Sequence, residues 1–196
     1  MDSVFSSNAA HSVWLYCFLE LFVIVAFCIF ISDRRRKPGM EPLVNPRATL
    51  ILKLCYPAPI LVWIYTLTIL NRVTTVDWLA LVFVSLGAFL VIKAKCDLGS
   101  KHTWTGYHLP GATRITRGLY GYIKHPMYTG IITVIVAGMM VLIPRLPFWL
   151  IMVTSLLNIY IVGFLVAAAR RESTLLRVTA TAARPEGIGA HSAVHC

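Results

Sequence analysis

Five apolar runs divide the chain. The first, Val13 to Ile31, is 19 residues long. At 1.5 Å per residue that is enough to cross about 30 Å of hydrocarbon. Asp33 and the basic run Arg34-Arg35-Arg36-Lys37 stop it, and Pro38, Gly39, Pro42 and Pro46 mark a loop. The second run, Ala48 to Leu70, contains Pro57 and Pro59, which predict a kink or a broken helix. A polar turn from Asn71 to Asp77 leads to the third, Trp78 to Ile92. It is short and should extend through Lys93 and Lys95, whose stems can carry their ammonium groups to the interface. Residues 95–124 are the only sizeable polar segment between runs. The fourth run is Met127 to Ile143, and Pro144-Arg145-Leu146-Pro147 then predicts a tight antiparallel hairpin with the fifth, Phe148 to Ala169. Arg170-Arg171-Glu172 closes that run. The pattern divides into spans one to three (1–94), a polar loop with spans four and five (95–176), and an irregular tail (177–196).

Composition agrees with an all-α polytopic membrane protein of about five spans. The chain is 58% hydrophobic and 13% charged, against about 25% charged in soluble domains. Of its 18 lysines and arginines, all but Arg72 and Arg145 fall on one side of a five-span topology, if Lys53 is counted at its helix end. The positive-inside rule makes that side cytosolic, with loops 33–47 and 95–124 and the C-terminus. These charges flank spans and form no single face, which argues against nucleic acid as a partner. The five cysteines (17, 28, 55, 96 and 196) show no CxxC and no metal-ligand spacing with histidine, so reduced thiols and no metal are expected. Cys196 lacks the three following residues of a prenylation box. The first run, without a basic leader or a small-residue cleavage site, reads as a retained span.

The chemistry concentrates at Gly118-Leu119-Tyr120-Gly121-Tyr122-Ile123-Lys124-His125-Pro126-Met127-Tyr128-Thr129-Gly130. Proline is favoured in the first turn of a helix, which puts His125 at the head of span four. A helix N-terminus offers unbonded N–H groups and a partial positive charge, and so attracts a carboxylate. With Tyr120, Tyr122 and Tyr128 it suits a zwitterion, or it is an aromatic belt anchoring the helix. Glu172 follows span five and either faces a cation or is a solvated helix end. Glu20 lies inside span one, where a carboxylate is a functional candidate or a packing partner; no evident partner favours packing. Trp104, Tyr107 and His108 form a second aromatic cluster, as interfacial anchors or part of a lid.

Arg114-Ile115-Thr116-Arg117-Gly118-Leu119-Tyr120, then Lys124-His125-Pro126-Met127-Tyr128, an apolar hairpin, and Arg170-Arg171-Glu172 with Leu175-Leu176 resemble the isoprenylcysteine carboxyl methyltransferase family. The wider class of integral-membrane methyltransferases, phospholipid methyltransferases included, shares the pattern. The resemblance covers roughly Cys96 to Leu176. It implies a cytosol-facing pocket for S-adenosylmethionine lined by Ala112, Thr113, Arg114, Ile115, Tyr120, His125, Pro126, Met127, Tyr128 and Glu172. It also implies methyl transfer to the C-terminal carboxylate of prenylated cysteine in protein partners, in the endoplasmic reticulum membrane. The chain departs from the family in three places. Lys124 stands where arginine is usual, which loses the planar fork. Position 168 is alanine where an arginine would hold the substrate carboxylate, leaving Arg170 or Arg171 to substitute. The Phe-Gly, acidic and Tyr-x-x-Tyr segment expected after the glutamate is missing from 177–196. A lipid-amine methyltransferase and an inactive, non-enzymatic member are the alternatives.

Overall fold

The computed structural model describes residues 2–32, 39, 41–42, 44–99, 107–108 and 117–182. Its elements in order are α1 (Asp2–Ile31), β1 (Glu41–Pro42), α2 (Pro46–Cys55), α3 (Pro57–Thr68), α4 (Thr75–Leu98), β2 (Tyr107–His108), a 3-10 turn at Gly118–Gly121, α5 (Pro126–Leu142) and α6 (Phe148–Ala182). Among the described residues, four stretches are long and apolar enough to cross a membrane: Ala10–Ile31, Pro46–Thr68, Thr75–Leu98 and Phe148–Leu175. Helix α5, at 17 residues, is shorter. The chain is an all-α polytopic membrane protein, and its flanks are apolar accordingly. Trp14, Phe18, Phe22, Leu61, Phe89 and Trp149 all stand exposed, as side chains do where lipid replaces water.

The second span breaks where its prolines require. Pro57 has no N–H to give the Lys53 carbonyl, so α2 ends at Cys55 and α3 restarts with Pro57 in its first turn. Helix α4 extends past Ile92 through both lysines. Lys95 donates to the Phe30 carbonyl at 2.5 Å, tying the end of α4 to the end of α1. Lys93 pairs with Asp97 one turn along. The tail differs from expectation at its start, because α6 continues through Ala182 instead of stopping near Ala169. Alanine is the best helix former, and extending a nucleated helix is far easier than starting one. Residues 183–196 lie outside the described residues.

The core is built on α4 against α5. Ala80, Val84, Gly87, Ala88, Val91 and Ala94 are buried on α4, and Gly130, Val134, Ala137 and Val141 are buried on α5, which packs against it. Small side chains let the two backbones touch, as membrane helices prefer. A Cβ on Gly87 would lie 2.8 Å from the Gly130 carbonyl oxygen, and one on Gly130 would lie 2.6 Å from that of Gly87.

The α5–α6 turn closes the hairpin, with the Arg145 and Leu146 N–H groups both donating to the Leu142 carbonyl at 3.1 Å. There Arg145 reaches Asp77 at 2.6 Å and also donates to the Val141 carbonyl at 2.8 Å. Asp77 caps α4 by accepting from the Thr74 N–H at 2.7 Å. Glu20 is fully buried in the same region beside Tyr16 and Trp63, its oxygens short of hydrogen-bond geometry. A short β1–β2 pairing, Glu41 opposite His108 and Pro42 opposite Tyr107, joins two segments read from sequence as separate loops.

Candidate active site

The head of α5 forms as its proline dictates. His125 is the residue before the helix, at φ −135° and ψ 65°, and Pro126 is its first residue. The His125 carbonyl accepts from the Thr129 N–H at 3.0 Å. The N–H groups of Met127 and Tyr128 have no acceptor within the helix, as in any first turn. Pro126 is buried; Met127 and Tyr128 are half-buried.

Across from this turn stands the basic end of α6. The His125 Nδ1 lies 3.7 Å from the Glu172 carboxylate, and its Nε2 lies 3.3 Å from Ser173 Oγ. Ser173 donates its hydroxyl proton to the Ala169 carbonyl at 2.8 Å. Which group donates in the Ser173–His125 contact depends on the imidazole tautomer. The Nδ1 edge faces the carboxylate. The Tyr128 ring stacks on His125, centroids 5.7 Å apart and planes 14° apart. Tyr120 is half-buried nearby. Burial first, then the charges of Glu172 and Asp97, pushes its phenol above the ordinary range. At neutral pH Tyr120 is thus a hydrogen-bond donor and an aromatic face, not a base.

One group that builds this site, Asp97, was not read from sequence. Asp97, at the end of α4, accepts from the Leu119 N–H at 2.9 Å across 22 residues. Gly118, which starts the 3-10 turn, sits at φ +62°, and a Cβ there would lie 2.3 Å from an Asp97 carboxylate oxygen. The turn carrying Tyr120 is thereby held on α4. Acidic residues at helix ends are common, and only the fold reveals that this one grips a loop.

The remaining candidates divide. Ala112, Thr113, Arg114 and Ile115 lie outside the described residues, as does Trp104. Lys124 is exposed. Arg170 and Arg171 are exposed, and Arg170 stands about 200° around the helix from Glu172. Ala168 is fully buried. Tyr122, 93% exposed, is a surface aromatic of the kind that anchors at an interface.

Further into the bundle is a cavity of about 350 Å³ lined by residues of α1, α2, α3, α5 and α6, with Tyr56 and Pro57 at the elbow. Its walls include Ile131, one turn inward from Tyr128, and Leu165, two turns inward from Glu172. A smaller apolar pocket shares Tyr56, Ile60, Ile131 and Ile161 with it and continues to Trp63, Gly138 and Asn158.

The family model for isoprenylcysteine carboxyl methyltransferases matches residues 78–176. Neither a curated protein nor a solved structure matches the chain. The match runs from the start of α4 through Glu172, so it contains both helices that frame the site and both turns that face each other across it. On that match the chain belongs to the isoprenylcysteine carboxyl methyltransferase family, as a membrane methyltransferase of that kind.

Proposed function

We propose that the chain transfers a methyl group from S-adenosylmethionine to the C-terminal carboxylate of a prenylated cysteine. The observation that carries this reading is the 3.7 Å approach of His125 to Glu172. It sets a helix N-terminus, two tyrosines and one carboxylate together at one end of the bundle. That donor set suits a molecule carrying both an anionic and two cationic groups. The N–H groups at the head of α5 would take the donor's carboxylate. Glu172 would take its ammonium group, and Tyr120 and Tyr128 offer π faces to its sulfonium. When bound there, the donor supplies an electrophilic methyl group that a carboxylate oxygen can accept, leaving a neutral thioether.

The residues around it have a modest chemical task. A carboxylate is already ionised at neutral pH, so no side chain need act as a general base. Positioning is worth up to roughly 7–11 kcal/mol in well-aligned reactions. The apolar walls of the cavity would hold the prenyl chain in the bilayer and exclude water from the reacting carboxylate. The basic end of the bundle would face the cytosol, where both donor and acceptor proteins are found.

Calorimetry in detergent tests the donor site. Wild type should bind S-adenosylmethionine, and His125→Ala and Glu172→Gln should each weaken it about tenfold or more, in line with the loss of a charge-assisted contact. Unchanged affinity in both variants overturns the assignment. Transfer of a radiolabelled methyl group to N-acetyl-S-farnesylcysteine tests the acceptor.

A further inference from the structure

The large cavity is mainly apolar, with Ser32, Tyr56 and Lys53 as the polar members of its lining. Cys28 and Ile31 of α1, Leu52 of α2, Ile60 of α3, Ile131 and Leu165 form greasy walls, and Lys53 is the one charged residue among the described residues that line it. Lys53 occupies the last turn of α2, immediately before the proline break. Its ammonium lies 6.0 Å from the centroid of the Tyr107 ring. Tyr107 belongs to β2, whose pairing with β1 brings it back to the segment just ahead of α2. Lys53 is thus held at the cavity by a cation–π contact and by the elbow it precedes.

An apolar chamber of this volume with one cation in its lining is complementary to a single-chain amphiphile with an anionic end. On the last helix, position 168 is a fully buried alanine, and Arg170 and Arg171 are both exposed.

We propose that Lys53 is the specificity-determining residue that selects an anionic acceptor. Resting on the prenylcysteine reading above, it attracts the free carboxylate and repels a lipid whose polar end carries an ammonium group. The ester formed on methylation is neutral, so the same residue loses its hold on the product and favours release.

The test measures binding, not turnover. N-acetyl-S-farnesylcysteine and its methyl ester are titrated into the full chain in detergent, as wild type, Lys53→Gln and Lys53→Arg. Wild type and Lys53→Arg should bind the acid about tenfold more tightly than the ester. Lys53→Gln should bind both alike, with the ester's affinity and the affinity for S-adenosylmethionine unchanged. Equal binding of acid and ester by wild type overturns the proposal, as does preserved discrimination in Lys53→Gln or a parallel loss of donor affinity. Failure of wild type to bind either compound overturns both this proposal and the prenylcysteine reading. Discrimination without methyl transfer overturns the transfer reading alone and leaves Lys53 as a carboxylate-selecting residue.

Discussion

His125 is held on both ring edges, by Ser173 on one and Glu172 on the other. The imidazole is thereby oriented by α6 as well as by the helix it heads. Ser173→Ala should therefore loosen the ring without removing a charge. We expect a fall in donor affinity smaller than that of Glu172→Gln, about threefold, read by the same calorimetry. Gly118 makes a sharper case. Alanine there must adopt a left-handed conformation and displace the Asp97 carboxylate that holds Leu119. Such strain costs about 1–3 kcal/mol, and Gly118→Ala should weaken donor binding more than it lowers the melting temperature. His125, Pro126 and Tyr128 were legible in the sequence because a proline and its neighbour declare a helix start locally. Asp97 was not, because its partner is 22 residues away and nothing in an i,i+4 pair with Lys93 points beyond the helix.

At the scale of elements, the α4–α5 pairing carries the site. Its closest approach is backbone to backbone at Gly87 and Gly130, with each carbonyl inside the space a methyl group would need. Overpacking of this kind costs typically about 1–3 kcal/mol. Gly87→Ala and Gly130→Ala should each lower the thermal midpoint in detergent. Because Gly130 is one turn inside the head of α5, its substitution should also weaken donor binding. An unchanged midpoint in both would show that the helices separate freely. The break at Pro57 and the continuation of α4 past Lys95 could be read from sequence, since each rests on one residue's chemistry. Which helices touch could not. Spans four and five were expected to pair because a tight turn joins them, yet the glycine contact is made by α4, whose connection to α5 runs through the long polar loop.

For the whole molecule, the two ends of the bundle differ in kind. One end carries the site; the other is fastened by Arg145 on Asp77, next to the buried Glu20 region. Removing one member of a buried pair typically costs about 3–5 kcal/mol, because the other charge is stranded. Arg145→Met should thus destabilise strongly, and adding Asp77→Asn should recover part of the loss. Additive losses in denaturation would refute the pairing. Counting charges from sequence set Arg145 apart from the basic flank, but it could not show that the residue is a clasp. The most consequential feature at this scale is the brevity of α5. Seventeen residues rise only about 25 Å, less than the hydrocarbon thickness of a typical bilayer. A short span of this kind favours a bilayer that thins around it. Reconstitution in short-chain lipids should raise turnover and long-chain lipids should lower it, making the host membrane's girth a regulator of the enzyme that lives in it.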